Sequence, residues 1–548
     1  MRPFQPDGTF LSITTGRGLR RSAVRGAGTA IAGAASNFAV QMGAVVILAR
    51  LLTPGDFGIV TMVTTFSLLL RSFGINGFTE LIIQRKEMTE SLANNFFWMN
   101  LGIGTILTVA FAYAGSLLAL LYHTPDVAQV TRGMSITIVI SCLGYVHMAL
   151  LQRAMQFRTA AIINFIGQVL QYGVSIALAI AGWHYWALVW GSVVQAATVT
   201  IGSLAICQWM PGLPGRAKGT GTSFKFAMNV YSHYAFSYST RNLDNLLVGW
   251  RFGDRALGFY KRAYDLFVLP ESQLLAPLSA VAVSTLSRVQ HDREQFIRYF
   301  LQMISVLALV GMGVGANFAL IGEDVMRLLL GPGWGESGRI FALFGPGIGI
   351  MLLYNTHGWI HLSIGRPERW FRWGLIEFAC IAVLFFVTLH WGPSGIAFAW
   401  TASYFLLMFP GFWYAGKPIN LGVGPIFNVI WRFFVASVLA GGSTALIFRN
   451  IIKVTISPGP PSIFLRMCLV SLVFYALYIG FMILLYGGLK PLNDAAGIIR
   501  EFLPERMNRR ASSMPADIEA SEKISEWSAD IKLDSELLVV PDKTGSKV

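Results

Sequence analysis

Read for hydrophobic runs alone, the chain is a series of apolar stretches separated by short polar links, and most are long enough for a membrane-crossing helix of about 20 residues. Six expected helices fall at about 26–49, 57–83, 94–121, 132–151, 160–181 and 185–207. A Pro- and Gly-rich linker, 208–225, follows, and a second set of six is expected at about 226–249, 256–289, 296–321, 341–364, 370–390 and 394–414. Two further runs at about 425–448 and 463–486 bring the expected total to about fourteen. The pattern therefore predicts an all-α polytopic membrane protein: an N-terminal lobe over 26–207, a C-terminal lobe over 226–415, and two added helices within 425–486. The polar tail, 490–548, has little periodicity and is expected to be disordered from about 511.

The two lobes repeat. LARLLTPGDFGIV at 48–60 matches VGWRFGDRALGFY at 248–260 with an offset that sets Gly58 on Gly258 and Arg71 on Glu271. Parallel repeats of this kind relate two halves of a transporter by a pseudo-twofold axis and bring equivalent helices together around a central site.

Composition agrees: 54% of residues are hydrophobic and 13% charged, with a mean hydropathy of +0.57, which excludes an ordinary soluble protein. The net charge of +14 would suggest nucleic acid in a soluble chain. Here the cations gather in alternate links, 84–86, 152–158, 216–225, 288–298 and 366–372, a topological pattern that puts both termini in the cytoplasm. The basic segment 1–25 precedes an apolar run too long for a signal-peptide core, so an uncleaved first helix is expected. Cys142, Cys207, Cys380 and Cys468 lie in apolar runs without paired spacing and indicate neither disulfides nor zinc.

Candidate chemistry lies where charge interrupts the apolar runs. Residues 229–288 carry Arg241, Asp244, Lys261, Arg262, Asp265 and Glu271, and such groups avoid lipid and face partners or an aqueous hollow. Arg71 and Glu271, a cation and an anion at one repeat position, are expected either to serve substrate binding and gating or to lock the bundle as an ion pair. Arg241 and Asp244, three apart, can pair along the helix, and Asn242, Asn245 and Tyr238 offer amide and aromatic groups suited to sugars. Tyr231 and Tyr234 extend that face. Lys261, Arg262 and Asp265 lie close enough to a helix end to snorkel, although Asp265, like Asp244, is also a gating candidate. Pro270 and Pro277 permit a bend that would move Glu271. His357 and His361 have metal-ligand spacing without an accompanying carboxylate, so polar packing is the expected role and no metal is expected. Glu377 is expected to face either the hollow or the headgroups.

In LARLLTPGDFGIVTM, closed by LIIQRKE, and in RNLDNLLVGWRFGDRALGFYKRAYDLFVLP, the chain resembles the polysaccharide flippases of the multidrug/oligosaccharidyl-lipid/polysaccharide exporter superfamily. The resemblance covers about the first 480 residues and is most specific in these two hairpins. It implies two six-helix lobes and alternating access that turns an undecaprenyl-diphosphate-linked oligosaccharide across the bacterial inner membrane, for exopolysaccharide or lipopolysaccharide synthesis. It also implies a cation-lined cavity, to which Arg71 and Arg241 fit best, and partnership with polymerase and export machinery. No cofactor is expected beyond a sodium or proton gradient, and Glu271 departs from a purely basic cavity. A drug exporter of the same superfamily is the first rival reading. A membrane glycosyltransferase or polymerase is the second, and the short links argue against it.

Overall fold

The computed structural model describes residues 3–10, 36–73, 78–85, 88–215, 220–450 and 459–488. The start expected for the first helix at 26 and the tail from 490 lie outside them. The described residues are almost entirely helical: α1 (Ser36–Leu51), α2 (Pro54–Ser72), α3 (Glu80–Gln84), α4 (Glu90–Tyr122), α5 (Asp126–Arg153), α6 (Phe157–Ile180) and α7 (Tyr185–Ile206) form the first half. The second half holds α8 (Thr220–Phe267), a π-turn over Glu271–Leu275, α9 (Ala276–Arg288), α10 (Arg293–Leu330), α11 (Gly335–Tyr354), α12 (His357–Ser363), α13 (Pro367–Thr388) and α14 (Pro393–Gly416). The last two are α15 (Val423–Asn450) and α16 (Pro460–Tyr486).

Where the hydrophobic pattern places about fourteen crossings, ten described helical stretches are long and apolar enough to span a membrane, and an eleventh if a bent pair counts as one. The difference lies in the hairpins nearest the repeat. α1 is described only from Ser36, α2 is described continuously only to Phe73, and α8 carries the charges that lower its hydropathy.

Local chemistry sets the turns. Thr53 and Asp56 form a reciprocal capping box at the start of α2, with Pro54 in its first turn, so the α1–α2 link is a sharp reversal. α8 reverses at Gly253, whose φ of 81° is open to glycine at no steric cost. The proof of reversal is the Tyr260 hydroxyl, which donates to Asp244 Oδ2 at 2.7 Å. Sixteen residues of straight helix would hold these groups about 24 Å apart.

The link after α7 is shorter than expected. α8 already begins at Thr220, and residues 208–215 are strapped to the end of α4. Asn95 exchanges two hydrogen bonds with the Gly215 backbone, Asn94 Oδ1 accepts from Gly212 N, and Trp98 Nε1 donates to Gly212 O. At the same end residues 3–10 fold back onto the bundle. Glu90 N donates to Gly8 O, Phe10 N to Met88 O, and the Arg153 guanidinium lies over the Phe10 ring. This end, which also holds Arg85 and Arg288, is called the basic end below, and its opposite the far end.

Candidate functional site

The two hairpins meet at the far end through glycine. A Cβ on Gly58 would fall 1.8 Å from the Asp254 carbonyl oxygen, and one on Gly258 1.8 Å from the Pro54 carbonyl oxygen. Each contact becomes the other when 200 is added to one partner's number and taken from the other's. Such reciprocity is the signature of an isologous, twofold contact, here between two halves of one chain, and it bears out the offset read from the sequence. Around it the far end is closed. Trp334 Nε1 donates to Ala49 O, its ring meets Phe57 and Phe259 edge-on, and Arg50 donates to Leu328 O.

Deeper in the C-terminal half, the site is built on α8, the π-turn, α13 and α14. Arg241 Nη2 stands 3.6 Å from Glu271 Oε1. The Arg241 side chain is 68% exposed, yet Tyr264, Tyr404 and Glu377 lie within its electrostatic reach, and Tyr404 is buried. An accessible guanidinium amid protein groups from several helices describes a side chain standing in a hollow, and ionised groups within a membrane span call for such a hollow or for partners. Glu377 extends the cluster to α13 and lies beside the Tyr354 hydroxyl. Its position in the sequence fits either the hollow or the headgroups, and a carboxylate within an otherwise apolar helix is the signal that marks it.

The expected pair of Arg71 with Glu271 is not formed: among the described residues the cation facing Glu271 is Arg241. The physical reason is local. A π-turn, wider than an α-turn, begins at Glu271 directly after Pro270, so repeat position no longer fixes where the side chain points. The helix axis bends by 42° just beyond, as the two prolines led us to expect. Arg71 instead lies near Cys142 of α5, half-buried, its Nε buried without a hydrogen-bond partner among the described residues.

Nor do Arg241 and Asp244 pair along their helix. Asp244 is fully buried and accepts from the Tyr260 hydroxyl, from Trp400 Nε1 at 3.1 Å and from Asn245 N. It thereby fastens both arms of α8 to α14. Asp244→Ala is expected to strand the Tyr260 and Trp400 donors and cost about 2 to 4 kcal/mol, while Asp244→Asn keeps part of the network. Thermal unfolding of the purified variants checks this, and equal melting temperatures for Ala and wild type would contradict it.

Asn242 donates to Tyr238 O and accepts from Asn245 Nδ2, so these amides are largely occupied within α8. Tyr238 stacks on Tyr234, while the Tyr231 hydroxyl reaches Leu69 O of α2. The tyrosine stripe thus seams the two halves. Lys261, Arg262 and Asp265, which lie close enough to a helix end to snorkel, form a triad: Asp265 receives Lys261 at 2.5 Å and Arg262 at 3.2 Å. The Arg262 guanidinium lies 4.3 Å over Phe57 of the other half. His357 and His361 are buried in an aromatic box with Tyr354, Trp373 and Tyr414, which fits the polar-packing reading. Among the described residues no cluster could hold a metal ion.

Apolar helices of spanning length, with two hairpins crossing in twofold fashion, make this a multi-pass membrane protein, and the fold is shared with solved transporters. The "Lipid II flippase MurJ, inward closed conformation" superposes with a TM-score of 0.67 over 84% of this chain and 98% of its own, at 14% identity. An "inward-facing conformation of a multidrug resistance MATE family transporter of the MOP superfamily" gives 0.58 over 70% and 94%, at 13%. At such identity the likeness is one of fold. A family model described as "Polysaccharide biosynthesis protein" matches residues 47–339, more than half of the chain, and the chain belongs to that family. Similar curated proteins are the succinoglycan biosynthesis transport protein ExoT of Rhizobium meliloti, 24% identical over 65% of this chain and 72% of its own, and the teichuronic acid biosynthesis protein TuaB of Bacillus subtilis, 24% identical over 67% and 76%. The lipopolysaccharide biosynthesis protein WzxC of Escherichia coli is 23% identical over 53% and 59%.

Proposed function

We propose that this protein is a flippase. It moves an undecaprenyl-diphosphate-linked oligosaccharide from the cytoplasmic to the periplasmic leaflet of a bacterial inner membrane, with both termini in the cytoplasm, and it does no covalent chemistry. Family membership supports the class, and the observation that carries the substrate reading is the accessible Arg241 guanidinium held in the hollow by Glu271. A diphosphate offers the same bidentate acceptor geometry as a carboxylate and more charge, so it can displace Glu271 from Arg241. The sugars then meet Tyr238 and the tyrosines near it, and the polyprenyl tail stays in lipid. Arg71 supplies the second cation, from the N-terminal half. Release of Glu271, with Asp244 and Asp265 holding the neighbouring helices, is the step at which a sodium or proton gradient enters. The basic end faces the cytoplasm, and the polymerase and export machinery receive the product at the far end.

Depletion of the protein in a strain that depends on it tests the reading. Lipid-linked repeat units are expected to accumulate in the cytoplasmic leaflet while surface polymer falls. Arg71→Ala at normal expression is expected to cut polymer output about tenfold or more. Normal output on depletion would remove the function altogether.

A second reading rests on Glu271 and Glu377 standing together beside one arginine. Two carboxylates suit an organic cation, as in a drug exporter. That reading requires drug sensitivity on depletion with surface polysaccharide intact.

A further inference from the structure

A second cavity, of about 840 Å³, opens at the far end, away from Arg241 and Glu271. Its walls are the end of α1, the turn into α2, the α10–α11 link and the start of α16, so it lies where four helices leave the apolar layer. Three arginines from three separate parts of the chain, Arg50, Arg327 and Arg466, line it against one carboxylate, Asp324. Arg466 is neutralised by a two-pronged pair with Asp324. Arg50 spends one N–H on Leu328 O, which holds it beside Arg327, and has no other hydrogen bond among the described residues. Arg327 keeps only a loose contact of 3.8 Å to Glu323 and is 46% exposed.

The lining therefore holds three arginines against one aspartate; with Asp324 taken by Arg466 and Glu323 set loosely against Arg327, Arg50 has no acidic partner among the described residues and Arg327 a weak one. Guanidinium groups drawn into one cavity repel each other unless an anion lies between them, and their fork of donors matches phosphate oxygens. The geometry points to a binding site for a phosphate anion, held by Arg50 and Arg327, with Arg466 and Asp324 as its adjustable wall. Its position at the helix ends favours the phosphodiester of an anionic lipid, and free phosphate is the other source of the same chemistry. Because Arg50 comes from the first hairpin and Arg327 from α10, an occupant bridges the two halves on the closed side. The site is thus a means by which the surrounding leaflet holds the far end shut, whatever the carrier moves.

The test uses the full chain in nanodiscs of phosphatidylcholine doped with phosphatidylglycerol, with retained lipid read by native mass spectrometry. Wild type is expected to retain phosphatidylglycerol, and the double variant Arg50→Gln/Arg327→Gln to lose about tenfold or more in affinity. Asp324→Asn removes the one lining carboxylate and is expected to bind several-fold more tightly, a gain that misfolding does not produce. Lys417→Gln, just beyond α14 at the basic end, should change nothing. If inorganic phosphate alone binds with the same dependence on Arg50 and Arg327 while the lipid does not, the site stands and its supply is soluble. Equal retention of phosphatidylglycerol and phosphatidylcholine with no phosphate binding, or affinity unchanged in the double variant, overturns it.

Discussion

Gly58→Val and Gly258→Val are each expected to abolish polymer export, and to do so equally. At both positions the atom in the way is a backbone carbonyl oxygen 1.8 Å from where Cβ would sit, not a side chain that can rotate aside. Overpacking a site with flexible neighbours costs about 1 to 3 kcal/mol; here two helices must separate, so the loss is expected at or above about 3 kcal/mol. Even alanine should fail, since the first added carbon already collides. A Cβ at Gly102 or Gly441 would meet nothing within 4 Å beyond its own stretch of helix, and Gly102→Ala and Gly441→Ala should behave as wild type. Complementation of surface polysaccharide together with melting temperature in detergent measures both effects. A folded, active Gly58→Val protein would mean that the two hairpins do not touch as described.

Arg241→Ala is the second large effect, and it should separate transport from stability. The Arg241–Glu271 contact is 3.6 Å long and its cation is 68% exposed, so solvent screens it and its loss should shift stability by less than about 1 kcal/mol. Under the proposed function transport should nevertheless fall at least about tenfold, because a diphosphate in the hollow would lose the guanidinium that stands in for its water. Arg241→Lys, a point charge without the planar fork, should recover only part. Glu271→Gln should leave Arg241 free and tighten substrate binding while slowing release, seen as accumulation of bound lipid-linked sugar in the purified protein. An Arg241→Ala protein with wild-type export would take this residue out of the pathway.

Much of this was legible in the sequence, for reasons visible in particular residues. The offset of 200 could be read because a close helix crossing demands a special residue: glycine recurs at 58 and 258, where the backbone leaves no choice, although Pro54 has Asp254 as its counterpart. Hydropathy located the helices because a membrane span must be apolar along most of its length. What failed was azimuth. The repeat gave the height of Arg71 and Glu271 along their helices, but a π-turn starting at Glu271 decides its direction, and Pro270 alone hints at that. The Arg241–Asp244 spacing was equally ambiguous, since three residues apart permits a pair without requiring it, and Asp244 found Tyr260 and Trp400 instead. Contacts such as Arg262 over Phe57 or Trp334 on Ala49 join residues hundreds of positions apart and leave no local trace.

The twin glycine crossing has a bearing on leakage. Both contacts lie within a single helical turn on each hairpin, Gly58 on Asp254 and Gly258 on Pro54, so the hairpins are sealed by backbone at two adjacent points. A conduit wide enough for a sugar chain is dangerous to a cell that lives on its ion gradients. Backbone set against backbone at two adjacent points leaves small ions no crevice between the hairpins where they touch.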